Sequence, residues 1–373
     1  MIGVMNISSD LNIGGAGRCI LNYLKSADRA AFRVSLAVPK GSELGAAAKT
    51  QGAEVLEVEG LADRSLNFGD IGRLRRLIRA WRPDIVHTHG AMSGRIAAKL
   101  AHTPVVYTRH SVFEPGRALS RNPGKWVNGR INELFSDAII AVAEAAKENL
   151  IQCGISPNKI EVILNGVEPQ KPPPPERLSA IRKNYGIPPG AFVLGMLARL
   201  EPVKGHSYLF EAARALRDEG RDIRVLVAGT GSGEDELRRL CRTLELEDTV
   251  IFAGFVPQVP DVLGLMDLQV NASWGTEATS LSLLEGMSMG LPAAVSDYGG
   301  NPGVITDGVN GLIFPARDSA ALKQAVTRLM DGPEEMQALR AGAERVFNEK
   351  FTVRQYARNI EGVYRGLMNK RGV

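Results

Sequence analysis

The chain reads as an α/β protein built from two doubly wound, parallel-sheet domains of Rossmann-like type that face a central cleft. Three observations predict this. Short apolar, β-branched runs alternate with longer amphipathic stretches from end to end, the pattern of βαβ units with buried strands. The length of 373 residues fits about two domains at roughly 150 residues each. The alternation breaks once, at EPQKPPPPERL (168–178), where four consecutive prolines can continue neither a helix nor a central strand.

The elements follow in order. In the first domain, 1–167, strands are expected at 2–7, 33–38, 84–89, 104–109, 137–142 and 159–164, with helical patterns between them such as FGDIGRLRRLIRAW (68–81). The segment 168–178 is expected to be an extended, semi-rigid linker. The second domain, 179–350, repeats the pattern with strands at 192–198, 222–229, 249–254, 267–273, 292–296 and 311–314. A long amphipathic stretch, 351–373, closes the chain. In sheets of this kind ligands bind beyond the carboxyl ends of the strands, so motifs that follow strands carry most weight.

Composition narrows the function classes. Hydrophobic residues make up 44% and charged residues 23%, as in ordinary globular chains. No run of ~18 apolar residues would span a membrane. The start, MIGVMNISSD, reads as a first strand rather than a signal peptide, so a cytoplasmic location is expected. Cys19, Cys153 and Cys241 are scattered and odd in number, which fits structural thiols rather than a metal site or disulfide framework. Residues 1–165 hold 21 Lys and Arg against 15 Asp and Glu, while the remainder holds 24 against 26. A mildly basic first half suits an anionic partner, such as an acidic substrate or a membrane surface. No nucleic-acid motif accompanies it, so no nucleic acid is expected as partner.

After the first strand, Gly14 and Gly15 precede a helical pattern, an arrangement that brings backbone N–H groups to a ligand at a helix N-terminus. The spacing departs from G-x-G-x-x-G, since Ile20 stands where a further glycine is needed, which disfavours a dinucleotide. His87 and His89 point the same way from one strand end, and His110 follows the next strand. No further ligands at a telling spacing support a metal, and the histidines are expected to line the cleft. His110 is the best candidate to handle a substrate hydroxyl. In the second half, Arg199 and Lys204 lie just beyond a strand, where their cationic heads can converge on a diphosphate. The loop AGTGSG, which includes Gly229, reads as a mononucleotide-type turn before a helix near Gly233.

The stretch EATSLSLLE (277–285) sets two glutamates eight positions apart with no basic residue between them. Thr279 or Ser280 can cap a helix from about Leu281 to about Met289. Glu277 then lies in the preceding loop and Glu285 about one turn into the helix. Roughly 12 Å apart if both were helical, they are too separated to share a metal or to form a close acid–base pair. They can hold two parts of one elongated ligand, with the helix N–H groups on a phosphate between them. Carboxylates accept from vicinal hydroxyl pairs. The ligand implied has hydroxyls, a diphosphate and hydroxyls again, as a nucleotide sugar does.

With these residues the chain resembles the family 4 glycosyltransferases of GT-B fold, over nearly its whole length. Glu277 and Glu285 look like the family's E-x7-E motif, within SWGTEATSLSLLEGMSMGLPAAVSDYGG and DGVNGLIF (307–314). ARLEPVKG looks like its phosphate-binding Arg and Lys, ILNGV (163–167) its N-G-V with Asn165, and GGAGR its acceptor-side glycine loop. The resemblance implies retaining transfer from a nucleotide sugar, most often UDP-linked, with no bound metal and no cofactor beyond the donor. It places Glu285 on the ribose, Glu277 on the donor sugar, and Arg199 and Lys204 on the departing diphosphate. It places His110 on the donor sugar or the acceptor, and Gly14 and Gly15 on the diphosphate or acceptor. Asn165, Gly229, Thr279, Ser280 and Leu281 complete the nucleotide-sugar site. It also implies that the last helix crosses back to the first domain. Where the family often carries Glu in G-G-x-P-E, this chain has Gly303.

The stretch 109–130 holds five Arg and Lys with Phe113 and Trp126, which suits an anionic membrane surface or a lipid-diphosphate acceptor, and equally a mobile loop with an ordinary basic helix. A lipid-linked or polysaccharide glycan is the expected acceptor, with peripheral contact to the inner face of a membrane. Two rivals use the same features: a GT-B-type sugar-nucleotide epimerase, which needs no acceptor, and a non-catalytic sugar-nucleotide-binding scaffold.

Overall fold

A computed structural model describes residues 1–113 and 115–371. Glu114, the one acid of the basic stretch 109–130, lies outside the described residues, as do Gly372 and Val373 at the end of the closing stretch. The chain divides into two compact units: Met1–Val167 together with the stretch from Thr352, and Glu168–Phe351.

The first unit is built on a parallel sheet of strands β1 (Ile2–Ile7), β2 (Phe32–Pro39), β3 (Glu54–Val58), β4 (Ile85–His89), β5 (Val105–Arg109), β6 (Ala138–Ala141) and β7 (Ile160–Val162), in the order β3-β2-β1-β4-β5-β6-β7. Strand order reverses between β1 and β4, the point at which open α/β sheets bind ligands. The strands form where apolar β-branched residues run together, and Val4, Ile7, Leu36, Ile85 and Val105 are fully buried. The helix Phe68–Trp81 begins on Asn67, whose side chain accepts from Gly69 N.

The second unit holds β8 (Phe192–Leu197), β9 (Ile223–Ala228), β10 (Val250–Gly254), β11 (Leu268–Asn271), β12 (Ala293–Ser296) and β13 (Gly311–Phe314), all parallel, in the order β10-β9-β8-β11-β12-β13. Its switch point lies between β8 and β11. Leu194, Val225 and Leu268 from these strands pack with Leu209, Phe210 and Leu216 of the helix His206–Asp218.

The last helix, Val353–Asn369, packs within the first unit. Thr352 bridges Val167, and Val353 N donates to Val167 O. A Cβ on Gly166 would lie 2.5 Å from Thr352 O, so only glycine allows this approach. Further along the helix, Asp28 N donates to Glu361 Oε1 at 2.8 Å, and the Tyr364 hydroxyl meets His87 Nδ1 at 2.6 Å.

Three expectations need correction. Strand β3 was not expected. Its sequence, EVLEV, is short, carries two glutamates and sits at the sheet edge, where one side needs no apolar cover. The segment 168–178 is not extended throughout, because a helix begins at Pro175 and runs to Asn184. Proline has no donor to lose in the first turn and its fixed φ suits that position. The helix after EATS ends at Met287 rather than near Met289. Residues 288–290 turn back, with Gly290 at φ +69°.

Candidate active site

In the second unit the loops beyond β8, β9 and β11 are locked by backbone contacts. Leu200 N donates to Thr230 O, and Gly233 N to Leu200 O. Gly229 adopts φ +141°, and a Cβ there would lie 2.0 Å from Ala198 O. Gly229 therefore serves the close approach of two strand ends, and through it the placing of Arg199. Beyond Arg199 the chain makes a tight turn, Pro202–Lys204, and reaches Gly205 at φ +79°. A Cβ on Gly205 would lie 2.0 Å from Ala272 O. This contact lays Lys204 against the end of β11.

There Lys204 Nζ stands 3.0 Å from Glu277 Oε2, in an ion pair whose side chains are 11% and 9% exposed. The same oxygen accepts from Ser273 Oγ at 2.9 Å and faces Asn271 Nδ2 at 3.4 Å. All three contacts converge on Oε2, and Glu277 Oε1 takes part in none of them. Behind Ser273 the network continues, with Ser296 Oγ donating to Ser273 O and Asn301 Nδ2 donating to Ser296 Oγ at 3.0 Å. The Glu277 backbone is fixed as well. Thr276 is held in the left-handed region at φ +47°, costly for a β-branched residue. Gly300 N donates to Glu277 O, and a Cβ on Gly299 would lie 2.3 Å from that oxygen. Such strain persists where surrounding contacts over-determine it. Next to Lys204, burial and the lysine charge push His206 down to about pKa 4, so its imidazole is neutral near pH 7.

The other predicted residues of this unit fall on the same side of the sheet or nearby in the chain. Ser280 stands at the N-cap position of the helix Leu281–Met287, with Thr279 before it, but its side chain meets Ser282 Oγ at 3.1 Å and makes no capping hydrogen bond. Glu285 is the fifth residue of that helix and is 3% exposed. The Arg199 guanidinium is exposed and pairs with Glu201 at 2.6 Å. Gly303 has open space where a Cβ would be, so the fold does not require glycine there.

In the first unit the histidines form a chain. His87 and His89 leave β4 on the same side, with ring centroids 4.3 Å apart. His87 is bracketed by Tyr364 and Thr108, each at 2.6 Å. His89 Nε2 lies 3.1 Å from Asn6 Oδ1, and its Nδ1 lies 2.9 Å from His110 Nε2. Asn6 Nδ2 faces Ser35 O at 3.4 Å, which turns Oδ1 toward His89. This orientation dictates the tautomers. His89 donates through Nε2, its Nδ1 accepts, and His110 donates through Nε2. His110 Nδ1 is left as an acceptor, and it is buried with no hydrogen-bond partner among the described residues. Burial lowers His110 to about pKa 4 and, with the His110 charge as a lesser cause, His87 to about 3. Both are neutral near pH 7. The protein itself occupies both ring nitrogens of His87 and of His89. Among the described residues no group of three or more His, Cys, Asp or Glu could hold a metal ion.

Gly14 and Gly15 start the helix Gly15–Ser26. A Cβ on either would meet nothing within 4 Å, and neither adopts positive φ. The fold makes no demand for glycine here, unlike at Gly205. Asn165 lies in the first unit beside the returning chain, with a buried Oδ1 that has no hydrogen-bond partner among the described residues.

Sequence reasoning missed Asn271, Ser273, Ser296 and Asn301. For the first three the signal was available: each is a polar residue at or just beyond the carboxyl end of an apolar strand, where a core role is unsuited to it, whereas Asn301 starts the short helix Asn301–Val304.

Two family models match the chain: glycosyltransferase family 4 over residues 13–171, and glycosyl transferases group 1 over residues 179–346. A curated relative, the UDP-Gal:alpha-D-GlcNAc-diphosphoundecaprenol alpha-1,3-galactosyltransferase of Escherichia coli, is 31% identical over 274 residues, covering 69% of each chain. The crystal structure of Anabaena HepE in complex with UDP and glucose superposes with a TM-score of 0.84 at 20% identity, covering 98% of this chain and 99% of that one. A glycosyltransferase from Rickettsia africae superposes with a TM-score of 0.86 at 20% identity over 98% of each chain. The chain belongs to the group 1, family 4 glycosyltransferases of GT-B fold.

Proposed function

We propose that this glycosyltransferase moves a sugar from a UDP-linked donor to a hydroxyl of a glycan acceptor, with retention of anomeric configuration and without a metal ion. The observation that carries the donor side is the buried Lys204–Glu277 pair with Ser273 and Asn271 on the same carboxylate oxygen. A lysine so placed offers fixed positive charge to a leaving diphosphate, and preorganised charge of this kind is the largest single term in such catalysis. Glu277 holds the lysine through Oε2 and offers Oε1 to a sugar hydroxyl. Glu285 takes the ribose hydroxyls, while the backbone at Thr279, Ser280 and Leu281 faces the phosphates. Arg199 is exposed, and in this reading it exchanges Glu201 for the diphosphate when the donor arrives. Gly14, Gly15 and Asn165 complete the contacts. The UDP-Gal in the name of the Escherichia coli relative and the UDP bound to HepE support the choice of base.

His110 presents a neutral acceptor nitrogen, suited to a sugar or acceptor hydroxyl. The proton of the attacking hydroxyl goes to the leaving phosphate, so no protein nucleophile is needed. A lipid-linked glycan is the acceptor class we favour, supported by the diphospholipid-linked substrate of the same relative. The helix Gly124–Leu134 exposes Trp126, Val127, Ile131 and Leu134 beside Lys125 and Arg130, which supports peripheral contact with an anionic bilayer at the cytoplasmic face. Among the described residues no helix is long and apolar enough to cross a membrane.

The test is thermal stabilisation by UDP, GDP, ADP and their sugar conjugates in the presence of EDTA, followed by hydrolysis of any hit. Stabilisation by UDP and slow release of sugar support the proposal. Stabilisation without any release of sugar favours the scaffold alternative, turnover of donor to an isomeric nucleotide sugar favours the epimerase, and no response to any nucleotide refutes the proposal.

A further inference from the structure

A cavity of about 430 Å³ opens in the first unit, and two arginines line it. Arg95 comes from the helix Met92–Leu100 and is only 4% exposed. Among the described residues one of its five N–H donors is used, from Nη1 to Asn132 Oδ1 at 2.8 Å. Its Nε is buried with no hydrogen-bond partner, and it forms no ion pair among the described residues. Its guanidinium lies over the Tyr107 ring, 4.0 Å from the centroid. Arg109 donates to the hydroxyl of the same tyrosine and lies over Phe113 at 4.0 Å. It too has no carboxylate partner among the described residues. Asp10 is the one acid lining the cavity among the described residues; it accepts from Ser8 Oγ, and burial, with Asp63 as a lesser cause, pushes its carboxyl up. Burial and the neighbouring Arg109 both lower Arg95 from its ordinary value.

A buried guanidinium without a counter-ion among the described residues, beside a second one, is costly to hold. Stacking on aromatic rings recovers part of that cost, and a bound oxyanion would recover the rest. We propose that this cavity seats a phosphate group of the acceptor, held by the open donors of Arg95 and by Arg109, with an acceptor hydroxyl facing His110 Nδ1 in the same cavity. The proposal rests on the reading of the first unit as the acceptor-binding unit. It narrows the acceptor to a phosphate-bearing glycan, whether a soluble sugar phosphate or a lipid diphosphate.

The experiment is calorimetric titration of the full chain, saturated with UDP, with inorganic pyrophosphate. UDP fills the diphosphate site of the second unit, so further binding reports the cavity. Arg95→Gln is expected to weaken pyrophosphate binding about tenfold or more, the loss for a charge-assisted donor. Arg95→Lys keeps the charge without the fork, loses affinity in the same direction, and carries the test if Arg95→Gln does not fold. Equal affinity in wild type and variants overturns the proposal, as does a wild type that binds no pyrophosphate at millimolar concentration. Retention on phosphatidylcholine vesicles doped with a polyprenyl diphosphate, lost in the Arg95 variants, supports it and assigns the phosphate to a lipid. Pyrophosphate binding without such retention supports it and assigns a soluble acceptor. UDP affinity, read separately, tests the donor function: its absence in wild type overturns that function and leaves the comparison between wild type and variants standing.

Discussion

Replacing Lys204 by methionine removes the ammonium 3.0 Å from Glu277 Oε2. With side chains 11% and 9% exposed, the pair is little screened. At an effective dielectric of ~20 its gross attraction is about 5 kcal/mol, offset by the cost of taking both ions from water. Removing one partner of a buried pair costs about 3–5 kcal/mol, because the other charge stays buried. Here Ser273 and Asn271 remain on the carboxylate, and each holds back about 1 kcal/mol. Lys204→Met is therefore expected to cost about 1–3 kcal/mol of stability, and Glu277→Gln, which strands the lysine, about 3–5 kcal/mol. A double-mutant cycle read by urea unfolding should give a coupling of about 2 kcal/mol. The Arg199–Glu201 pair is the control. At 2.6 Å it is the shorter contact, yet its side chains are 67% and 30% exposed, so solvent limits its coupling to about 0–1 kcal/mol. Hydrolysis of the UDP-sugar by Lys204→Met should fall by about two orders of magnitude or more. Equal coupling in the two pairs, or unchanged turnover in Lys204→Met, refutes this account of the site.

Acid should unfold the protein before its carboxylates titrate. The folded pKa of His87 is about 3, and those of His110 and His206 are about 4, all below the unfolded value of about 6.5. Below that value the unfolded chain binds protons that the folded chain refuses. Stability is therefore complete above pH 6.5 and falls toward pH 4, by up to about 1.4 kcal/mol per pH unit for each histidine; an unfolding midpoint that does not move between pH 7 and pH 5 contradicts it. Two glycines should behave oppositely. Gly205→Ala meets Ala272 O at 2.0 Å with φ +79° and should cost about 2 kcal/mol or more. Gly15→Ala meets nothing and should leave the melting temperature level or raised while lowering transfer, and a lowered melting temperature would remove the ligand-based reason for that glycine. Asn6→Ala frees the tautomer of His89 and so that of His110. It should lower the transfer rate by more than it changes UDP affinity, whereas parallel losses in both would indicate a merely structural asparagine.

The two-sheet plan was readable because buried parallel strands are continuous apolar runs, and twelve of those runs were recognised at strand positions. Strand β3 escaped because an edge strand need not be apolar throughout, and EVLEV looks like part of a polar helix. The helix at Pro175 escaped because proline was read as a breaker, although in a first turn it is a starter. In the site, Glu277, Glu285 and Lys204 stood out as charges with no local reason to be there. What they do to each other was not readable. The lysine and Glu277 are 73 positions apart, and only the turn at Gly205 and the strained Thr276 bring them together. The direction of Arg199 was unreadable for the same reason. Proximity in sequence to Lys204 does not fix direction, and the exposed guanidinium found Glu201. The tautomer chain from Asn6 to His110 crosses three strand ends and left no pattern in the sequence beyond three histidines.

The most direct test of the central claim is the anomeric configuration of the first sugar released from an α-linked UDP-sugar by the enzyme in EDTA, followed by proton NMR before mutarotation. The account predicts release of the α-anomer at a rate that EDTA does not change and that Lys204→Met abolishes. Release of the β-anomer, or activity that disappears with EDTA and returns with a divalent cation, would contradict it.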